Sequence, residues 1–306
     1  MFKVFIDGSA GTTGLRIREM LERRADVSLV TLPEALRKDI SARKDALNGA
    51  DVAFLCLPDD AAREAAALVE NERTIVIDAS TAHRTSPGWA YGFPELSARH
   101  RAAIANGRRI ANPGCYASGF IALVYPLVAA GVAAPDYPFV CHAVSGYSGA
   151  GKKGIAEYEA ADRPMQYDTP RLYALTQQHK HLPEMTAVCG LTRTPVFDPY
   201  VCDYYCGMTV TVPLFADLLA KRVTAADVKE LLTAHYAGQR FVAVAQEDSY
   251  IAANTLSGTN RMELLVNGNN ERILLTARLD NLGKGASGAA IQNMNIALGL
   301  DEGVSL

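Results

Sequence analysis

Along the first 115 or so residues, short apolar runs alternate with stretches whose apolar positions recur at helical spacing. The runs are Lys3–Ile6, Val27–Leu32, Val52–Leu57, Thr74–Ile77 and Arg109–Ala111. Between the first two, Ile17, Met20 and Leu21 fall on one face of a predicted helix, and Arg16, Arg18, Glu19, Glu22 and Arg23 turn mostly to water. This βαβ rhythm predicts a parallel sheet wrapped by helices, an α/β domain of the dinucleotide-binding type. After a helix expected through Gly119–Tyr125 the pattern shifts to longer extended runs, Phe139–Val144 and Met208–Val212. Met262–Val266, the turn Asn267–Asn270 and Arg272–Ala277 read as a hairpin, so the second lobe is α+β with a mixed or antiparallel sheet. Gly285–Leu300, rich in Ala and Gly, is expected to form a helix packed closely on other backbone. The expected division is a dinucleotide-binding domain over 1–116, joined by a helix from 285–306, and a catalytic and dimerisation domain over 117–284.

Composition narrows the chemistry. The 306 residues are about half apolar, enough to bury a full core, and 30 basic against 33 acidic residues leave a formal charge of −3. No stripe of Lys and Arg could follow a phosphate backbone, so nucleic acid is not an expected partner. The opening run Met1–Ile6 is too short for the apolar region of a signal peptide, and no window reaches the ~20 apolar residues of a membrane helix. A cytoplasmic, membrane-free protein is expected, with its six cysteines as thiols rather than metal ligands.

Directly after the first run stands Gly8-Ser9-Ala10-Gly11-Thr12-Thr13-Gly14, with glycines at intervals of three and an amphipathic helix following. Such a turn lets backbone approach a pyrophosphate, toward which the helix directs unpaired N–H groups and the positive end of its dipole. The cofactor's ribose is expected near the end of the second run, where two signals disagree. Glu34 would accept from a free 2′-hydroxyl, as in NAD, and Arg37 with Lys38 could clamp the 2′-phosphate of NADP. The cationic pair is the reading followed here, giving NADP(H) as the expected cofactor.

Asn112-Pro113-Gly114-Cys115-Tyr116 places Cys115 in a turn before a helix. A helix N-terminus favours a thiolate, and nearby N–H groups can stabilise an oxyanion when sulfur attacks a carbonyl. Cys56, Cys141, Cys189, Cys202 and Cys206 lack that setting and read as small apolar residues. Gln178-His179-Lys180-His181-Leu182-Pro183-Glu184 supplies a histidine for proton transfer, His181, and a lone His-x-His has too few neighbours to hold a metal. Arg84, Lys152 and Lys284 lie beside glycine-rich loops and are candidate cations for a phosphate and a carboxylate.

These segments, with Asp78–Arg84, Tyr91–Leu96, Ser145–Gly151 and Asp280–Ala286, resemble over nearly the whole chain the N-acetyl-γ-glutamyl-phosphate reductases in the shorter of their two length classes, relatives of aspartate-semialdehyde dehydrogenase. The resemblance implies NADPH-dependent reduction of an acyl phosphate to an aldehyde, in arginine biosynthesis, through a thioester on Cys115. It implies His181 as acid/base residue, His179 and Glu184 as substrate contacts, and Arg84 as the family's loop arginine. It also implies Pro58, Ser80, Ser148, Gly149, Asn281 and Lys284 at the cofactor, and a homodimer or homotetramer. One departure is visible: Ala79-Ser80-Thr81-Ala82-His83-Arg84 stands where the longer class usually carries Leu-Ser-Ala-Asp-Phe-Arg. Two alternatives differ in class: aspartate-semialdehyde dehydrogenase, which usually has Asn-Cys-Thr at Gly114-Cys115-Tyr116, and an NADP-binding regulator without turnover, which predicts a missing nucleophile or base.

Overall fold

The computed structural model describes residues 1–246 and 249–306. The chain runs β1 (Phe2–Asp7), α1 (Thr12–Glu22), β2 (Val27–Val30), α2 (Ile40–Gly49), β3 (Val52–Leu55), α3 (Asp59–Ala67), β4 (Ile75–Asp78), β5 (Ala90–Tyr91), α4 (Ala98–Asn106) and β6 (Arg109–Ala111). It continues through α5 (Cys115–Ala129), β7 (Val140–Gly146), α6 (Gly151–Glu159), β8 (Arg171–Leu172), α7 (Leu182–Val188), β9 (Val196–Cys202), β10 (Met208–Phe215), α8 (Ala225–His235), β11 (Val242–Val244), β12 (Met262–Gly268), β13 (Arg272–Leu279) and α9 (Gly288–Ala297). Contacts divide it into two compact units, one of Met1–Pro113 with Ala286–Leu306 and one of Gly114–Gly285.

The first unit holds a parallel sheet in the order β2-β1-β3-β4-β6-β5. Chain order reverses at β1, which has β2 on one side and β3 on the other. The crevice beyond the carboxyl ends of β1 and β3 is therefore the topological switch point where such sheets take ligands. Every residue of β3 and β4 is buried, as expected of strands covered on both faces. One apolar cluster, with Ile17 and Leu21 of α1, packs Val4, Phe54 and Ile77 against Ile291 and Met294 of α9. The polar side of α9 is buried too, and its amides bind neighbouring loops. Asn293 Nδ2 donates to the Gly92 carbonyl at 2.9 Å and to Asn112 Oδ1 at 3.1 Å, and Asn295 Oδ1 accepts from Arg24 at 2.6 Å. The two-residue strand β5 has no periodicity to betray it in the sequence.

The second unit holds a mixed sheet in the order β11-β12-β13-β10-β7-β9-β8. The hairpin predicted at 262–277 forms, with Met262 opposite Leu279 and Gly268 opposite Ile273, but its first strand runs two residues further than expected and leaves a shorter turn over 269–271. Gly268, at φ +93°, carries the strand past Asn267, and Asn269 closes the turn by accepting from the N–H groups of Glu271 and Arg272. The helix predicted at 119–125 is longer at both ends and nearly all buried; its Gly119 lies flat against Val210 and Ala277 in the middle of the sheet.

The glycines of the first turn have separable roles. Gly8 has φ +86°, and a Cβ on it would overlap the Cys56 carbonyl oxygen; one on Gly14 would come within 2.6 Å of the Gly8 carbonyl. At Gly11, φ is −74° and the nearest atom to an added Cβ is 3.6 Å away. Gly8→Ala is thus expected to destabilise the protein by roughly 2–5 kcal/mol through strain and overlap. Gly11→Ala should stay within about 1 kcal/mol of the parent, because its backbone is ordinary. Urea melts of both variants check this, and equal losses would contradict it.

Candidate active site

In the first unit the glycine turn opens α1, whose N-cap is Gly11. Thr12 Oγ1 is buried there with no hydrogen-bond partner among the described residues. A cleft runs from this turn over the ends of β1 and β2, lined by Gly8, Ser9, Ala10, Arg18, Thr31, Arg37 and Lys38 among others. Glu34, the rival ribose contact, does not line it; its carboxylate is mostly exposed and pairs with Arg37 at 2.7 Å. Arg18, read from periodicity as facing water, reaches the cleft while its Nε pairs with Glu22 at 2.7 Å. Asp7 also lines the cleft, and its buried carboxylate is neutralised by Arg43, which donates from Nε and Nη2 at 3.1 and 2.8 Å. A bare carboxylate there would repel a phosphate. The room at Gly11, the unpartnered Thr12 hydroxyl, the paired Asp7 and the cations at 37 and 38 all fit a phosphorylated dinucleotide.

Pro58 is the N-cap residue of α3 at the end of β3. Ser80 follows β4, where the buried Asp78 carboxylate organises the loop. It accepts from the Ser80 N–H at 2.9 Å and the Ser80 hydroxyl at 2.8 Å, and lies 2.6 Å from His83 Nδ1. His83 stacks on Trp89 with ring centroids 3.9 Å apart. Arg84 is buried and donates to the carbonyls of Asn112 at 2.9 Å and Ala79 at 3.2 Å. These carbonyls anchor the loop arginine, despite the altered loop sequence.

In the second unit Cys115 is the first residue of α5 rather than part of the preceding turn, and it is partly exposed. Its N-cap, Gly114, donates its N–H to Glu184 Oε1 at 2.9 Å; Glu184 lies in the first turn of α7, and His181 is the N-cap residue of α7. The same short segment thus bears the histidine and holds the N-cap of the helix that begins with the cysteine. His179 accepts from the His181 N–H at 3.1 Å, and their rings are 4.7 Å apart. Tyr116 lies 6.0 Å from the His179 ring and 5.9 Å from that of His181. Burial foremost, then neighbouring Tyr173 and Cys115, pushes the Tyr116 phenol well above its ordinary pKa, so it adds no negative charge beside the sulfur. The His-x-His loop is entered through two non-glycine residues at φ +56°, Ala174 and Gln177, and the Gln177 side chain clasps the backbone of Phe197 at 2.7 and 2.9 Å.

Asn281 and Ser148 are buried and bonded to each other at 2.9 Å, while Asn281 Oδ1 accepts from the Gly207 N–H at 2.8 Å. Gly149 packs on the same amide. Lys284 is buried with its ammonium 5.9 Å from the centroid of the Phe241 ring. Lys152 is exposed in the first turn of α6. The roles of Tyr116, Gln177 and Arg43 left no trace in the sequence, because each depends on a partner distant along the chain.

Two family models match the chain: "Semialdehyde dehydrogenase, NAD binding domain" over residues 3–105 and "Semialdehyde dehydrogenase, dimerisation domain" over 115–281. A protein of Burkholderia lata called N-acetyl-gamma-glutamyl-phosphate reductase is 48% identical, with 97% of this chain and 96% of the relative covered. The chain belongs to the N-acetyl-γ-glutamyl-phosphate reductase family. Further members include N-acetyl-gamma-glutamyl-phosphate reductase 2 of Pseudomonas putida, 48% identical over 97% of this chain and 96% of its own, and the reductase of Trichormus variabilis, 45% identical over 99% of each. Aspartate semialdehyde dehydrogenase II of Vibrio cholerae shares the fold, with a TM-score of 0.74 and 16% identity over 97% of this chain and 98% of that one. Among the described residues no helix is long and apolar enough to cross a membrane, and no group of His, Cys, Asp and Glu could hold a metal ion.

Burial sets four of the other cysteines apart from Cys115. Burial foremost, with Asp78 and Asp7 nearby, pushes the Cys56 thiol up to about 12, and burial also raises Cys141, Cys189 and Cys202. These four stay protonated near neutrality. Iodoacetamide at pH 7.5 is therefore expected to modify Cys115 well before Cys56, Cys141, Cys189 or Cys202, as read by peptide mass mapping; preferential labelling of any of the four would contradict the assignment.

Proposed function

We propose that this protein reduces N-acetyl-γ-glutamyl phosphate to N-acetylglutamate 5-semialdehyde and phosphate with NADPH, a step of arginine biosynthesis, through a thioester on Cys115. The observation that carries this reading is the partly exposed Cys115 at the N-terminus of α5, joined through Gly114 and Glu184 to the segment bearing His181.

Cys115 attacks the γ-carbonyl carbon as a thiolate, the carbonyl π electrons move to oxygen, and collapse of the adduct expels phosphate to leave the thioester. The helix N-terminus bears a positive partial charge toward both the thiolate and the oxyanion. A bound NADPH supplies a hydride equivalent, the two electrons the thioester carbon requires. His181 protonates the resulting alkoxide and takes that proton back as the carbon–sulfur bond breaks, which regenerates the thiolate and releases the aldehyde. Glu184 positions the nucleophile by holding the Gly114 N–H, and Tyr116 packs beside both imidazoles. His179, Arg84, Lys152 and Lys284 are the candidate contacts for substrate phosphate and carboxylate. The turn Gly8–Gly14 holds the pyrophosphate, with Pro58, Ser80, Ser148, Gly149 and Asn281 as the other cofactor candidates. Arg37 and Lys38 take the 2′-phosphate, a reading favoured by their place in a cleft that Glu34 does not line. The protein acts as a homo-oligomer, a dimer or tetramer built from the second unit, in the cytoplasm.

Cys115→Ala is expected to abolish NADPH oxidation by the acyl phosphate while NADPH still quenches tryptophan fluorescence. His181→Asn should lower kcat by ~10²–10⁴-fold. Undiminished turnover by Cys115→Ala would end the proposal. Replacing both Arg37 and Lys38 by Ala should raise the Kd for NADPH by about 10-fold or more and change that for NADH little, because a charge-assisted contact is lost only with the 2′-phosphate. Parallel weakening of both dinucleotides would place the discrimination elsewhere.

A further inference from the structure

One buried side chain in the second unit has no work in the fold. Asn260 precedes β12 and is 6% exposed, yet neither its amide nitrogen nor its amide oxygen has a hydrogen-bond partner among the described residues. Leaving an amide so placed costs about 1–3 kcal/mol per unsatisfied group, so its retention calls for a ligand.

Its location says which one. Met262 lies opposite Leu279, and both are buried on the face of the sheet that α5 covers. Asn260 stands in the bend two residues before β12 begins, next to Thr259, which meets the loop after β13. That loop is the one beside the thiol: a Cβ on Gly285 would stand 2.8 Å from the Cβ of Cys115. The buried Asp280 carboxylate ties the two segments together, accepting from the Gly258 N–H at 2.5 Å and the Leu282 N–H at 2.7 Å. The Thr259 carbonyl, immediately before Asn260, lies flat against Gly283. Asn260 is therefore held at the Cys115 end of the sheet by a pinned loop.

We propose that Asn260 recognises the acetamido group of the substrate, an inference that rests on the function proposed above and names what selects its substrate. A carboxamide offers one acceptor and two donors, and a secondary amide offers one donor and one acceptor. The Asn260 oxygen accepts the substrate N–H and its nitrogen donates to the acetyl carbonyl, so both orphaned groups are satisfied at once. A free α-ammonium satisfies only the oxygen and brings a charge to an end of the sheet where Lys284 is buried. Asn260 is in this way the residue that separates an acetylated from an unacetylated substrate.

The test compares phosphate-dependent oxidation of N-acetylglutamate 5-semialdehyde with that of 5-oxopentanoate, the same chain without the acetamido group. Asn260→Ala and the nearly isosteric Asn260→Leu are expected to lower kcat/KM for the acetylated aldehyde by ~10–100-fold and to leave that for 5-oxopentanoate within about threefold. Their melting temperatures should fall no more than about 2 °C below wild type, because the amide has no partner among the described residues to lose. Equal losses on both aldehydes, unchanged activity on the acetylated one, or a much lower melting temperature in both variants would overturn the assignment. Wild-type protein inert toward both aldehydes would instead overturn the underlying function, and this inference with it.

Discussion

The hydrogen bond from the Gly114 N–H to the Glu184 carboxylate is the constraint on which the candidate site depends. Gly114 is the N-cap of α5, and its N–H, one of the donors that a helix start leaves without an intrahelical partner, is satisfied by a carboxylate from another helix. Because Glu184 lies three residues after His181, the same contact fixes where the imidazole-bearing segment meets the helix that begins with Cys115. The bond is buried and charge-assisted, conditions in which such a contact is both strong and costly to lose. A carboxylate near a thiolate would by itself oppose ionisation. Its engagement with a backbone donor, and the neutrality of the Tyr116 phenol, leave the helix N-terminus as a favourable influence on the sulfur.

The parts of the molecule that came through in the sequence are those whose cause is local. Parallel strands buried on both faces must be apolar runs, so β1, β3 and β6 stood out within a residue or two, and the glycine turn follows from the shape of a strand-to-helix corner. The 262–277 hairpin was legible for the same reason, although its first strand runs two residues further because Gly268 extends the strand instead of closing it. Cys115 was singled out through Pro113-Gly114 before it and the apolar helix after it. What stayed hidden depends on distant partners. Arg43 meets Asp7 across 36 residues of chain, Gly114 meets Glu184 across 70, and Asn281 meets Ser148 across 133. Periodicity leaves out one thing about Arg18: a helix face that stays substantially exposed also borders a cleft when the helix starts at the switch point.

The resemblance and the structure bear on different things. Family membership rests on 48% identity over nearly the whole chain, whereas likeness to aspartate semialdehyde dehydrogenases at 16% identity speaks only for architecture. A fold shared at that distance can host related chemistry on different substrates, so substrate choice must reside in particular side chains. The altered loop at 79–84 illustrates how the shared framework is kept with different residues. Arg84 needs acceptors, and the carbonyls of Asn112 and Ala79 provide them whatever side chains precede it, while Asp78 secures the loop through Ser80 and His83.

The charge arrangement at the dinucleotide turn shows the same economy. A helix N-terminus attracts a pyrophosphate, yet β1 ends in Asp7, an anion at the lip of the same cleft. Were Asp7 left charged and unpaired it would cancel part of the attraction and bear its own desolvation cost. Arg43 removes both difficulties by donating twice to one carboxylate oxygen. Breaking a buried pair of this kind strands the remaining charge, which typically costs about 3–5 kcal/mol, so the pair is fixed as a unit once present. Its effect reaches beyond stability: with Asp7 paired, the lip of the cleft carries no bare anion beside the glycine turn.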